Sequence, residues 1–308
     1  MSWKLIHKFR KSVSVMLILS LCFAIMPVAE AYESSKSTFG VSEYDYFQAL
    51  AKRSEDDLME DGYTREVVEK IKSISFEKLI YERAFLSDAE LSELGYDAKK
   101  IAMFHDIREN GIASINENNA RALAGTCTGD IDFISWSSSE IRLSYEWEWD
   151  HCPFVTYIDS FGVRWAAIGT NGAVIDTTAG YLTSAYVIYY ANGGGISTSK
   201  RMDFEENMEF NTVSASFPVS DYILDTWAKQ GDIYLQIEKD PSVTAEIAYV
   251  KMAGLYGHSI INIGAPAISV GTSDGAISFS FSGGLNIDNI AGCKYKFYSD
   301  GRKVSIAA

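Results

Sequence analysis

Histidines are the first residues to consider for catalysis or metal binding, and this sequence has few of them. Beyond residue 31 they are His105, His151 and His258. No His-Glu-x-x-His pair is present, and the stretch Gly257–Ile261 ends in isoleucine where a nucleophile elbow needs its second glycine. We therefore expect structural histidines, with no metal site and no cofactor.

Carboxylate pairs could perform acid–base catalysis, but this chain has so many acids that pairing alone is uninformative. Asp and Glu total 41 against 27 Lys and Arg, which gives a formal charge of −14. Glu146 and Glu148 share one face of a predicted strand, as do Asp130 and Asp132, and solvent exposure is the ordinary expectation there. A polysaccharide hydrolase would instead bury two acids in a cleft flanked by aromatic rings. The sequence leaves that alternative open.

Aromatic residues are unusually dense in the middle of the chain. Exposed planar rings of exported sandwich domains can stack on sugars, which makes four tryptophans candidate ligand-binding residues: Trp136, Trp147, Trp149 and Trp165. Two of them belong to Glu140–Trp149, where polar and apolar residues alternate strictly. This alternation predicts an antiparallel strand with one face on a core. Burial is therefore the stronger interpretation, and the ligand platform is the alternative.

The three cysteines beyond residue 31 form no Cys-x-x-Cys pair, which disfavours zinc binding and dithiol redox chemistry. An odd number in an exported chain indicates at least one free thiol or an intermolecular bridge. A serine turn at residues 137–139 would place Cys127 opposite about Trp149 in a hairpin, a few residues from Cys152. We predict a Cys127–Cys152 disulfide, with Cys293 as the odd buried thiol.

The first residues predict the compartment. Basic residues precede an apolar run from Val13 to Ile25, and a small-x-small site ends at Ala31. This pattern is typical of a secretory signal peptide, here residues 1–31. The run is too short to span a bilayer and no later stretch is longer, so we expect no stable membrane anchor.

Two compositions divide the rest of the chain. Residues 32–123 are rich in Glu, Lys, Leu and Ala, lack proline, and contain a capping box formed by Ser87 and Glu90. Residues 124–308 consist of short period-two segments separated by turn signals, with a helix predicted over Ser220–Lys229. We predict an α+β fold, in which a small helical subdomain precedes an antiparallel β-sandwich of Greek-key or jelly-roll type.

One hairpin bears on a membrane-active alternative. The Asp274–Gly275 pair predicts a two-residue turn. Counting outward from that turn places Val270 opposite Phe279. The same register places Ile268 opposite Phe281. Its apolar and serine alternation also occurs in pore-forming strands, but the proline before the first strand leaves it too short to span a bilayer.

The strong negative charge makes nucleic acid and anionic lipid poor partners. We expect a glycan or a protein as the ligand. We interpret the chain as a secreted bacterial protein, extracellular or in the cell envelope, that acts by binding and not by catalysis. The alternatives are a pore-forming β-protein and a secreted polysaccharide hydrolase. Nothing in the sequence sets the oligomeric state.

Overall fold

The structure is a computed structural model that describes most of the chain beyond the predicted signal peptide. The described residues are 39–60, 63–191, 197–207, 211–221, 225–259, 267–270, 279–282 and 292–306. All of them belong to one compact unit, residues 37–308. The signal peptide, residues 1–31, lies outside the described residues and stays a prediction. The division of the remaining chain into two domains also stays a prediction.

Seven α-helices occupy the first part of the described chain. They are α1 (Glu43–Lys52), α2 (Glu55–Glu60), α3 (Arg65–Ser73), α4 (Phe76–Arg83), α5 (Asp88–Glu93), α6 (Ala98–Asn110) and α7 (Glu117–Leu123). The capping box at α5 is confirmed, because Ser87 Oγ accepts from the Glu90 amide and the Ser87 amide donates to Glu90 Oε2 at 2.7 Å. These caps satisfy amide groups that a helix leaves unpaired at its start.

Seventeen strands follow or flank the helices within the described ranges. They are β1 (Phe39–Ser42), β2 (Thr126–Trp136), β3 (Glu140–Trp149), β4 (Ile158–Gly169), β5 (Val174–Ile175), β6 (Thr177–Ala179), β7 (Ser184–Ala191), β8 (Ser197–Met202), β9 (Phe204–Asn207), β10 (Thr212–Pro218), β11 (Ser220–Asp221), β12 (Thr226–Lys239), β13 (Ile247–Gly257), β14 (Ala267–Val270), β15 (Phe279–Ser282), β16 (Gly292–Tyr298) and β17 (Lys303–Ser305).

These strands form two large antiparallel sheets. An eight-stranded sheet has the order β1-β2-β3-β12-β7-β8, with β6 and β11 paired to β12. A seven-stranded sheet has the order β17-β16-β13-β4-β10-β9, with β5 paired to β4. The chain crosses between the sheets, so strands distant in the sequence, such as β3 and β12, become neighbours. The predicted α+β fold with an antiparallel sandwich is confirmed.

The central strand β3 has the predicted alternation. Ile141, Leu143, Tyr145, Trp147 and Trp149 are all buried, while the residues between them lie on the other face. The strand pairs with β2 on one side and β12 on the other. A shift of one residue would expose the two tryptophans, and so the alternation fixes the register.

Glycines allow the bulky core rings to fit between the sheets. The Trp147 ring stacks on Phe217, with 5.1 Å between ring centroids and 16° between planes. Gly231 lies directly opposite Trp147, and a Cβ at that position would come within 2.8 Å of the indole ring. Gly254, on the facing sheet, meets the Tyr145 ring so closely that a Cβ there would overlap it. Both positions therefore require glycine for steric reasons.

The helix predicted over Ser220–Lys229 is wrong. Ser220 and Asp221 form β11, and β12 begins at Thr226. Strand β12 lies between β3 and β7 and forms backbone hydrogen bonds with both. Trp227 is a buried residue of this strand, and its Nε1 donates to the Glu93 carbonyl at 3.2 Å. Pairing with two neighbouring strands outweighs the weak local preference for helix.

The predicted Cys127–Cys152 disulfide is also wrong in this structure, where Cys127, Cys152 and Cys293 are free and buried. The register behind the prediction holds, because Cys127 lies opposite Trp149. The chain then leaves the sheet, and the Cys152 amide donates to the Leu94 carbonyl at 2.8 Å. Cys152 therefore belongs to the contact with the helices, whereas Cys127 occupies a sheet position.

The predicted hairpin register is confirmed where it is described. Val270 pairs with Phe279, and Ile268 pairs with Phe281, in a two-stranded sheet separate from the other two. The Asp274–Gly275 turn lies outside the described residues. Within the described part of the chain, every helix is too short or too polar to cross a bilayer.

The close approach at Gly254 generates a stability prediction. Gly254→Ala should destabilise the fold by about 1–3 kcal/mol, because the new methyl group overlaps the buried Tyr145 ring. Urea unfolding would measure the change. Gly40→Ala is the matched control, since its methyl group would meet only threonine methyls at 3.8 Å or more. Equal unfolding free energies for the two variants would contradict the contact between the sheets.

Candidate functional site

A buried carboxylate joins the helices to the sandwich. Glu43 is the first residue of α1 and is 1% exposed. Its carboxylate accepts from the amide of Phe154 at 2.9 Å and from the amide of Val155 at 3.0 Å. These amides belong to the connection between β3 and β4. A carboxylate without such donors would be strongly unfavourable in the interior, and so the contact fixes this connection.

His258 lies between Glu43 and a second carboxylate, Asp159. We call these three residues the buried charge network. The Nδ1 atom of His258 lies 2.8 Å from Asp159 Oδ2, and its Nε2 lies 3.4 Å from Glu43 Oε1. Burial alone would lower the pKa of His258, but the two carboxylates raise it to about 10. Asp159 also accepts from the Tyr256 hydroxyl at 2.5 Å and from the Ser259 amide at 2.8 Å. The histidine is therefore an imidazolium held between two carboxylates at neutral pH.

Arg83 holds the same connection from the helical side. It donates to the carbonyls of Cys152 and Pro153 at 2.9 and 3.0 Å and to the Tyr96 hydroxyl at 2.8 Å. Its guanidinium also lies 4.0 Å from the centroid of the Phe154 ring. The carbonyls of this segment are thus bound by a cation while its amides are bound by an anion. This arrangement is structural in character.

The buried charge network, with the nearby Cys127, contains the residue types of a catalytic triad, but the protonation state of the thiol does not suit catalysis. Cys127 lines the small cavity beside His258 and Tyr46, yet burial, with the charge of Asp159, raises the pKa of its thiol well above normal. A buried neutral thiol is a poor nucleophile.

The other histidines also have structural partners: His151 bonds to the Leu123 carbonyl. Among the described residues, no group of His, Cys, Asp and Glu side chains is placed to hold a metal ion.

A different arrangement occupies the solvent side of the eight-stranded sheet. Five residues lie in register across five neighbouring strands, in the order Arg201 on β8, Tyr186 on β7, Asp232 on β12, Glu146 on β3 and Asp130 on β2. The last four alternate along their strands with buried residues and therefore lie on the outer face. We call this set the outer-face row.

Three adjacent carboxylates make the outer-face row electrostatically unfavourable. Burial, with the charge of Glu146, raises the pKa of Asp232 to about 6. Burial and the charges of Asp132 and Asp130 also raise the pKa of Glu146. The Asp130 end of the row has a close cation, Lys303, whose Nζ lies 2.6 Å from Asp130 Oδ1. Like charges directly opposite each other on a sheet destabilise it, so this row reduces the stability of the fold.

Three residues of the outer-face row, Asp130, Glu146 and Asp232, line a concave site of about 280 Å³. A second row of polar residues borders it, with Thr128, Glu148 and Gln230 in register on the same three strands. The site thus offers acceptors from carboxylates and both acceptors and donors from hydroxyl and amide groups. These groups stand on paired strands, which hold them at fixed spacings.

Three of the four candidate tryptophans are buried in the core. Trp147, Trp149 and Trp165 are 1%, 2% and 2% exposed, and the indole nitrogens of Trp149 and Trp165 donate to Tyr256 and Thr177 inside the protein. Trp136 is partly buried against the same core. The platform prediction is therefore wrong for the first three residues, because strand alternation turns their rings toward the facing sheet.

Sequence reasoning missed key residues of both the buried charge network and the outer-face row. Glu43 and Asp159 carried no motif, and their pairing with His258 depends on three segments far apart in the chain. Tyr186 and Asp232 also lacked a local signal. Alternation could have assigned each of them to an outer face, but could not have made their strands neighbours.

The buried charge network predicts a large effect of a small change. Glu43→Gln should destabilise the protein by about 3 kcal/mol or more, since it leaves His258 charged beside one carboxylate and places an amide group against two backbone amides. Asp45→Asn in the same helical turn is the control. Asp45 is half-exposed and ion-paired with Arg121, so its loss should change stability by less than about 1 kcal/mol. Denaturant unfolding that ranks the two variants equally would refute this role.

The raised pKa of Asp232 predicts a pH effect. A carboxyl group with a pKa of about 6 in the folded protein and 3.8 in the unfolded chain binds its proton more tightly when folded. Stability should therefore fall as pH rises from about 4 to 6. Asp232→Asn should stabilise the protein at pH 7.5, by about 1–2 kcal/mol after allowing for solvent screening, and change little at pH 4. Thermal unfolding at both pH values tests this; a variant no more stable than wild type at pH 7.5 is the contrary result.

No family model and no curated protein matches this chain. Among solved structures, a collagen-binding domain from a Staphylococcus aureus adhesin aligns with 42% of this chain and 83% of its own, at 8% identity and a TM-score of 0.23. The C-terminal domain of the Streptococcus agalactiae AgI/II polypeptide BspA aligns with 43% of this chain and 53% of its own, at 8% identity and 0.25. A DUF4466 family protein from Parabacteroides merdae aligns over 58% and 44%, at 15% identity and 0.26. Scores this low carry no conclusion about function.

Proposed function

We propose that this chain is an exported bacterial binding protein that holds a carbohydrate on the outer face of its eight-stranded sheet. Export rests on the sequence of residues 1–31, which has the pattern of a signal peptide. Binding rests on the outer-face row. In that row the half-buried Tyr186 lies beside Asp232 and in line with Glu146 and Asp130.

The chemistry of the row suits a sugar. A tyrosine ring can cover the apolar face of a sugar ring, and its large contact area comes with few rotatable bonds. Carboxylates accept hydrogen bonds from hydroxyl groups, and ionised acceptors make the stronger bonds. One tyrosine ring and three carboxylates stand side by side at the spacing of neighbouring strands. This combination supports a ligand that has both an apolar face and many hydroxyl groups.

The unfavourable charges of the row further support a binding role. Three carboxylates in register lower stability, and groups with perturbed pKa values are commonly retained where they contact a ligand. The buried charge network offers no comparable surface, because its charged groups are engaged with one another and with the backbone. We therefore propose the outer face as the binding surface.

Binding should be tested on a panel of soluble bacterial and plant polysaccharides by isothermal calorimetry. Tyr186→Ala should weaken the affinity for the best binder by about tenfold, equivalent to 1.4 kcal/mol, because the stacking surface is lost. Tyr249→Ala is the matched control, since Tyr249 is a half-buried tyrosine on the seven-stranded sheet. Equal losses in both variants, or no polysaccharide bound by the wild type, would overturn the proposal.

A polysaccharide hydrolase is the second candidate, favoured by the pKa of Asp232. A carboxyl group with a pKa of about 6 can act as a general acid near neutral pH. Asp130 lies on the same face two strands away and would be the second carboxyl group that such a hydrolase needs. Release of reducing ends by the wild type, abolished in Asp232→Asn, would favour this candidate over simple binding.

A further inference from the structure

An exposed aromatic ring stands on the turn between β6 and β7. Tyr181 is 86% exposed, the highest value among the large exposed hydrophobic side chains of the described residues. The next residue, Leu182, is 38% exposed. Two adjacent apolar side chains are thus exposed on one turn, and we consider this turn as a contact surface.

The turn is held rigidly on the sheet. The Gly180 amide donates to the Gln236 carbonyl at 2.7 Å, and the Leu182 amide donates to Gln236 Oε1 at 3.0 Å. Gln236 is 2% exposed, and its Nε2 donates to Glu140 Oε2 at 2.6 Å. A Cβ on Gly180 would come within 2.6 Å of the Gln236 side chain, so the turn packs against it. Binding at Tyr181 would require little further ordering of the backbone.

The turn that carries the ring packs on the same face as the outer-face row. Gln236 alternates on β12 with the buried Leu235 and Ile237, so its side chain, which bonds the turn, lies on the outer face. Asp232 lies four residues earlier on the same strand, about 13 Å away at the rise of an antiparallel strand. Tyr234, half-buried, lies between them on that face.

We propose that the carbohydrate bound at the outer-face row is a linear polysaccharide laid along β12, with a sugar unit at its far end stacked on Tyr181. This inference rests on the proposed function and specifies the ligand. Three tyrosines, Tyr186, Tyr234 and Tyr181, follow one another along this line, and the carboxylate of Asp232 stands beside the first of them. A series of rings along one strand matches a repeating chain of sugars, and the span is longer than one sugar ring.

The test compares ligand lengths. Affinities for β-1,4-linked glucose and N-acetylglucosamine di-, tetra- and hexasaccharides would be measured with the full chain, in the wild type and in Tyr181→Ala. The wild type should bind the hexasaccharide about tenfold more tightly than the disaccharide, and Tyr181→Ala should remove that gain while leaving disaccharide binding unchanged. Phe85→Ala is the matched control, since Phe85 is an aromatic residue, 58% exposed, in the helical part.

The outcomes separate this inference from the proposed function. If the wild type binds none of these saccharides and none of the polysaccharide panel, the proposed function fails and this inference falls with it. If Tyr186→Ala weakens binding but affinity does not rise with length, or Tyr181→Ala keeps the gain, only the extended site is refuted. Equal melting temperatures of Tyr181→Ala and the wild type would exclude unfolding as a cause. Loss of hexasaccharide binding in Phe85→Ala as well would also contradict the assignment to Tyr181.

Discussion

The fold depends on how a buried negative charge is satisfied. Glu43 is inside the protein, where an ionised carboxylate is stable only if donors surround it. The backbone of the β3–β4 connection and the charged ring of His258 supply those donors, and Arg83 binds the carbonyls of the same connection. The helices and the sandwich therefore share one electrostatic network. Removing either partner would leave an unpaired charge in the interior, which is strongly destabilising.

A second constraint comes from the rings between the sheets. Trp147 and Tyr145 need space that only glycine leaves, at Gly231 and Gly254. Because the inner face of β3 is filled so tightly, its register cannot slip, and the outer face is set at the same time. The position of Glu146 in the outer-face row is thus a consequence of the packing on the opposite side of the same strand.

The two charged regions differ in what they can do. In the buried charge network, each charge faces an opposite charge or a backbone group, and the nearby Cys127 thiol has a raised pKa that makes it a poor nucleophile. On the outer face, carboxylates lie beside other carboxylates, which do not donate hydrogen bonds to them when ionised. These groups therefore keep acceptor capacity for a ligand. The first region therefore contributes to stability, and the binding chemistry that we propose resides in the second. The sheet beneath the outer face keeps those groups at fixed positions without a flexible loop.

Local patterns alone determined much of this protein. Strict alternation identified β3 and its inner face, the Ser87 capping box identified a helix start, and turn counting gave the register of Val270 with Phe279. Each depends on residues close together in the sequence, where periodicity and turn geometry act directly. Only the tertiary structure decided that β12 separates β3 from β7, that Cys152 faces the helices, and that Tyr186 stands beside Asp232. Those outcomes depend on which distant strands pair, and pairing is chosen by the packing of the whole core, a property that no short stretch of sequence contains.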